Sequence, residues 1–231
     1  MLKILSWNIR QGGGSRTKGI ISAIHNVDPH ILALNEWRNN HSGLMIRSNL
    51  LRLGYIHQST TGAGGNYNSV FLASKYPFSS SLFTNADPNF PHNIVCGRFE
   101  AFEVYSVYLP HKKKHQLFGC LLEQMTKRDV PSIIVGDYNT GHNYIDQKGN
   151  SFWYTDELMQ LESLGMKDAF RYIHGGKKEY SWYSHQKNGY RYDHTYTDES
   201  LFTWIQDCHY LHEYREEGLS DHSPMLLLLK V

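Results

Sequence analysis

The feature that most constrains this chain is a series of short apolar runs, each breaking off at a polar residue. Leu2–Ile9 carries Asn8 at its end, Ile31–Leu34 stops at Asn35-Glu36, and Pro131–Val135 stops at Gly136-Asp137. Their length and branched side chains read as buried strands. Between them lie segments of helical period: Thr17–Asn26 with Ile20, Ile21 and Ile24 on one face, Gln116–Met125 with Leu117, Cys120, Leu121 and Gln124, and Asp156–Leu164 closed by Gly165. Strands alternating with helices imply sheets covered by helices. Asn68–Ala73, Val95–Glu100 and Phe102–Leu109 read as antiparallel strands because they are short and closely spaced. Tyr190–Thr197, Ile205–Tyr214 and Pro224–Val231 complete the predicted strands.

A chain of 231 residues fits one domain, taken as 1–231, and its 40% hydrophobic and 13% aromatic content is enough to build a core. Charged residues are too few and too mixed in sign for a disordered chain. With a formal net charge of +1, bulk charge does not mark a nucleic-acid binder, so any such binding needs a local basic face. Cys96, Cys120 and Cys208 are widely separated, which offers neither a zinc site nor a disulfide framework and fits a reducing, cytoplasmic setting. No apolar stretch has the length of a signal peptide or a membrane span, so a soluble protein with no membrane partner is expected.

The polar residues Asn8, Glu36, Tyr108, Asp137, Asn139, Asp193, Asp221 and His222 all fall at or just beyond the ends of predicted strands, where they can converge on one cleft. Asp137 and Asn139 stand two apart and share a side if the strand continues, so the pair could orient a water and donate to a phosphate oxygen. Taken alone, Gly136-Asp137-Tyr138-Asn139-Thr140 reads equally as a turn. In Ser220-Asp221-His222-Ser223-Pro224 the adjacent side chains point oppositely, so Asp221 is not the carboxylate that orients His222; Asp193 is the candidate. Glu36 is an oxygen ligand of the type a hard cation such as Mg²⁺ prefers, and Asn8 is placed to complete that shell.

The ordered set Ser6-Trp7-Asn8, Leu34-Asn35-Glu36, Tyr108-Leu109-Pro110, Gly136-Asp137-Tyr138-Asn139, Arg191-Tyr192-Asp193 and Ser220-Asp221-His222 resembles the signature of the endonuclease/exonuclease/phosphatase superfamily. The resemblance runs from residue 6 to residue 224. It implies a four-layer α/β-sandwich, two packed and mainly antiparallel sheets flanked by helices. It also implies a Mg²⁺-dependent phosphodiesterase, Mn²⁺ substituting, that hydrolyses nucleic acid, most naturally DNA. Glu36 would be the principal metal ligand, with Asn8 and Asp221 in support. Asp137 would position or deprotonate the attacking water, Asn139 and Tyr108 would hold the phosphate, and Asp193 would orient His222. Tyr108 is the residue type of the exonuclease III-like and apurinic-site endonuclease branch, and Trp182 and Tyr190 resemble that branch's aromatic pocket. Two positions depart from the branch: Arg10, where an acidic or amide residue is usual, and His111, where an Asn usually contacts phosphate. Arg10 would then bind phosphate directly. The alternatives are a phosphoesterase for small nucleotides, sugar phosphates or lipid head groups, and a non-catalytic nucleic-acid-binding relative.

His111-Lys112-Lys113-Lys114-His115 follows the Tyr108 motif directly. Cationic groups beside a phosphate-cleaving site would attract a polyanion, and His111 and Lys114 are counted with Arg10 as substrate contacts; a solvated helix start is the alternative reading.

Overall fold

The computed structural model describes residues 1–230. In chain order the elements are β1 (Leu2–Asn8), α1 (Thr17–Val27), β2 (Ile31–Trp37), α2 (His41–Arg52), β3 (His57–Thr60), β4 (Ser69–Ser74), β5 (Ser79–Leu82), β6 (Ile94–Arg98), β7 (Glu103–Tyr108) and α3 (His115–Lys127). They continue with β8 (Ser132–Asp137), α4 (Thr155–Ser163), β9 (Met166–Asp168), α5 (Ala169–His174), β10 (Trp182–Tyr183), β11 (Gly189–Tyr190), β12 (Asp193–Asp198), β13 (Ile205–Tyr210), α6 (His212–Glu216) and β14 (Met225–Leu229). Two six-stranded sheets result, ordered β13-β14-β1-β2-β4-β3 and β5-β6-β7-β8-β12-β9, with a small β10-β11 ribbon beside them. Each sheet has one parallel pair, β1 with β2 and β7 with β8, and is otherwise antiparallel.

Alternation along the strands builds the layers. Leu2 and Ile4 of β1, Ile31 and Ala33 of β2, Ile133 and Val135 of β8, and Met225, Leu227 and Leu229 of β14 meet in the core between the sheets. The opposite parity faces helices: Leu5, Trp7, Leu32 and Leu34 pack with Ile20 and Ile24 of α1 and Ile46 and Leu50 of α2. Tyr105, Val107 and Ile134 pack with Leu117 and Leu121 of α3 and Leu158 and Leu161 of α4. The period of two fills both sheet faces, and the result is helix, sheet, sheet, helix. Truncating one of these leucines to alanine costs about 2–5 kcal/mol, so the strand ends are held on a stiff frame.

Two expectations are corrected. Tyr190–Thr197 is not one strand: β11 ends at Tyr190 and β12 begins at Asp193. Arg191 turns into a buried ionic cluster, and its amide donates to Asp146 O instead of a ladder partner. Ile205–Tyr214 extends only to Tyr210, after which α6 forms. The last residue of Pro224–Val231 lies outside the described residues. Helix α2 had no counterpart in the sequence reading; Asn40 caps it by accepting from Gly43 N at 3.2 Å. Among the described residues no helix is long and apolar enough to cross a membrane, and Cys96, Cys120 and Cys208 are free thiols.

Candidate active site

The inward-facing positions that carry Ile and Val deep in the sandwich become polar at one edge of it. Parity places Asn8 after Ile4, Asn35 after Ala33, Tyr108 after Val104, and Asp137 after Val135 on the face between the sheets. Asp193 is the ladder partner of Asp137 in the β8–β12 pair, so the two carboxylates stand opposite one another on that face. Gly136 is required beside them, because a Cβ there would stand 1.8 Å from Val107 O.

Glu36 reaches the cleft by a different device. Leu32 and Leu34 face the helices, and strict alternation would send Glu36 after them. Instead the β2–β4 register shifts between Leu34 and Trp37, and Glu36 takes a left-handed φ of 54°. The bulge returns Trp37 to the helix side and turns the Glu36 carboxylate inward. Its Oε1 accepts from Asn8 Nδ2 and from Tyr108 Oη, each at 3.2 Å, and its Oε2 accepts from Gln11 N at 2.8 Å.

Asn8 joins the two halves, since its Nδ2 also donates to Asp137 Oδ2 at 2.8 Å. Asp137 further accepts from Asn139 N at 2.8 Å and Asn139 Nδ2 at 3.1 Å. His222 Nδ1 donates to Asp193 Oδ2 at 2.8 Å, while its Nε2 lies 4.0 Å from Asp137 Oδ2. Asp137, Asp193 and His222 are all buried. Burial raises the Asp137 carboxyl to about 7, with Asp193 adding to the rise and His222 opposing it. For His222 burial works against the charged ring, but the carboxylates of Asp193 and Asp137 outweigh it and raise the imidazole to about 10. Near neutral pH the group is therefore an imidazolium held by Asp193, beside a carboxyl poised to take or give a proton. Burial and Glu36 raise the Tyr108 phenol, which stays a donor.

The remaining expected residues spread around the rim. Asp221 Oδ2 accepts from Trp182 Nε1 at 3.3 Å and lies 3.8 Å from Arg10 Nε. Arg10 is exposed; its amide donates to Asn8 Oδ1 at 2.9 Å, and Arg16 pins its carbonyl and that of Leu219 at 2.6 Å each. His111, Asn139, Trp182 and Tyr190 line one cavity of about 380 Å³. Lys114 is corrected: it is not on the basic rim. Its side chain is fully buried, and Nζ donates to Tyr138 O at 2.6 Å and Asn139 O at 2.9 Å. A left-handed Lys113, φ 60°, splits the run, sending Lys114 inward under the Asp137-Tyr138-Asn139 turn.

Several supports were missed. Asn35 spans the sheets, its Nδ2 donating to Val107 O at 2.8 Å and its Oδ1 accepting from Asp137 N at 3.1 Å. Ser220 Oγ donates to Asn8 O at 2.6 Å, and Tyr210 Oη donates to Asp193 O at 2.6 Å. Arg191 is buried between Asp146, at 2.7 Å from Nε, and Asp168, at 2.5 Å from Nη2; Arg171 also reaches Asp146. A buried Arg two residues before Asp193 fixes where β12 starts, and a basic residue ending an apolar-aromatic segment was the available signal.

The donor set suits a hard divalent cation. Glu36, Asp137 and Asp193 crowd one cleft, and Asp193 Oδ1 is buried without a hydrogen-bond partner. The carboxylates of Asp137 and Asp193 lie within 4.8 Å of one another and of the His222 ring. Glu36 keeps lone pairs beyond those its donors use, and its neighbours are oxygen and amide groups with no thiol.

Known proteins resemble this chain in sequence and in fold. A Drosophila melanogaster recombination repair protein 1 is 23% identical over the whole chain, which spans 37% of that protein's length. A DNA-(apurinic or apyrimidinic site) endonuclease of Dictyostelium discoideum is 24% identical over 97% of this chain and 69% of its own, and a Bacillus subtilis exodeoxyribonuclease is 21% identical over the full length of both. In fold, an AP endonuclease from Archaeoglobus fulgidus superposes with a TM-score of 0.86 at 22% identity over the whole of both chains. The 3′ phosphatase NExo from Neisseria, bound to a product DNA hairpin, gives 0.87 at 21% with the same coverage. The pattern of the Endonuclease/Exonuclease/phosphatase family matches residues 5–222, and the chain belongs to that family.

Proposed function

We propose that this protein is a metal-dependent phosphodiesterase that hydrolyses DNA, attacking a backbone phosphate with a water positioned by Asp137. The observation that carries the reading is the bridge made by Asn8 between an exposed-side carboxylate, Glu36, and a buried Asp137 facing an Asp193–His222 pair. The names of the apurinic-site endonuclease and exodeoxyribonuclease relatives support DNA as the substrate. Mg²⁺, with Mn²⁺ as a substitute, would be held by Glu36 with Asn8 and Asp221 in support, and would supply charge neutralisation for the bound phosphate. The residues do the rest. Asn139 and Tyr108 donate to phosphate oxygens, and Arg10 and His111 add charge or donors at the rim. Asp137 takes a proton as the water oxygen bonds to phosphorus, an activity suited to a carboxyl poised near the working pH. The His222 imidazolium faces the negative charge that gathers as the ester P–O bond breaks; the leaving oxygen takes a proton from solvent to become a hydroxyl, the other product is a phosphomonoester, and Asp137 gives its proton back to solvent. Three free thiols suit a reducing, cytoplasmic setting.

The test is a substrate panel with Mg²⁺ or Mn²⁺: an abasic-site duplex, a blunt duplex, single-stranded DNA, RNA and bis(p-nitrophenyl) phosphate. DNA is expected to be cleaved, with activity abolished by chelator and restored by the metal. Undiminished hydrolysis in chelator, or hydrolysis confined to the small ester, would overturn the reading.

A further inference from the structure

Trp153 stands as a ridge between two hollows. On one side is the 380 Å³ cavity that includes Asn139, Trp182 and Tyr190; on the other is a hollow of about 470 Å³ lined by Lys112, Lys113 and His115, with Asn89 and the single carboxylate of Asp87. The indole is 70% exposed, and the residue before it is tethered. The Asn143 amide grips Phe152 at both main-chain groups, accepting from its N–H at 3.1 Å and donating to its carbonyl at 3.2 Å. Lys112 Nζ lies 5.0 Å from the indole centroid. The left-handed backbone at Lys113 leaves Lys112 and Lys113 exposed while burying Lys114. A solvent-facing aromatic ring with Lys112 over it and Lys113 lining the adjoining hollow, beside a phosphate-cleaving cleft, is the pairing that single-stranded nucleic acid uses: bases stack on the ring and phosphates meet the cations.

We propose that Trp153, with Lys112 and Lys113, forms a subsite for an unpaired nucleotide one step beyond the cleft, so that the preferred substrate is DNA with a single-stranded segment beside the scissile phosphate. This rests on the DNA phosphodiesterase reading. The base stacks on the exposed indole, and the flanking phosphate runs through the hollow bearing Lys113 and His115.

Fluorescence anisotropy in chelator, where hydrolysis does not intervene, tests the subsite on a blunt duplex and on the same duplex with a short single-stranded overhang of either polarity. The parent should bind one overhang about 10-fold more tightly than the blunt end, the value of one stacked base. Trp153→Ala should erase that preference and leave blunt-duplex binding unchanged, and Trp153→Tyr should retain most of it. Equal binding of all three duplexes by the parent, or an equal loss on all three in Trp153→Ala, would overturn the subsite alone. A parent that binds no DNA yet hydrolyses bis(p-nitrophenyl) phosphate would overturn the substrate reading, and the subsite with it.

Discussion

The two walls of the cleft are built differently. The wall from β8 and β12, with His222, is buried, and its hydrogen bonds lie mostly within the protein: Asp137 to Asn8 and Asn139, Asp193 to His222. The wall from β1 and β2 opens to solvent at Glu36, Arg10 and Asp221, and reaches its shape through left-handed backbone at Arg10, Gln11 and Glu36. Under the proposed function the contrast separates two tasks. Proton transfer and charge stabilisation gain from fixed, desolvated groups, whereas binding a cation and a polyanion needs groups that can exchange with water.

The largest effect that could break this contrast concerns the buried wall. Asp193→Asn and His222→Ala should each lower kcat on the order of 10³-fold, with the double variant no worse than either, because partners acting as a unit are non-additive. Steady-state kinetics giving additive losses would show two independent groups. On the open wall, Glu36→Gln should cost on the order of 10²-fold and shift the metal concentration for half-activity upward; a titration with unchanged midpoint would remove Glu36 from the metal. A smaller effect tests the support beneath β12. Burial alone would raise the carboxyl of Asp146, but Arg191 wins and holds it down at about 2, and Asp168 is depressed by the same guanidinium. Depressed folded values mean that this stability is present above the unfolded pKa and lost as pH falls through the folded one. Acid unfolding should therefore remove about 2 kcal/mol through Asp146 between about pH 4 and pH 2, and Arg191→Met should shrink that component in denaturant melts at stepped pH. The smallest effect lies at the rim: neutralising Lys112 and Lys113 should reduce the salt slope of DNA binding by about 2, whereas Lys114 should contribute nothing to it. A fall of about 3 when all three are changed would restore Lys114 to the rim.

Much of this was legible in the sequence, for an identifiable reason. Apolar runs of period two mark strands, and a polar residue at a run's end marks the cleft, so Asn8, Asp137 and Asp193 were readable; so was the opposite pointing of Asp221 and His222. What stayed hidden depends on non-local or strained backbone. The Glu36 bulge reverses the expected face of its side chain. Lys114 looks like its two neighbours until a left-handed residue turns it inward. Arg191 breaks a strand pattern because Asp146 and Asp168, 45 and 23 residues away, neutralise it in the interior. Asn35 was read as a strand end, and only the packing of the second sheet supplies the carbonyl it spans to.

The site occupies positions that continue the inter-sheet core, filled with Asn8, Asp137 and Asp193 where aliphatic side chains would fit the pattern. Selection for folding alone would therefore tend to seal the sandwich at this edge, since apolar replacements of similar volume relieve buried charge and are often stabilising. Inactive descendants of such a chain should drift toward a closed edge and a higher melting temperature. In that sense the catalytic cleft is an unfinished seam that only activity keeps open.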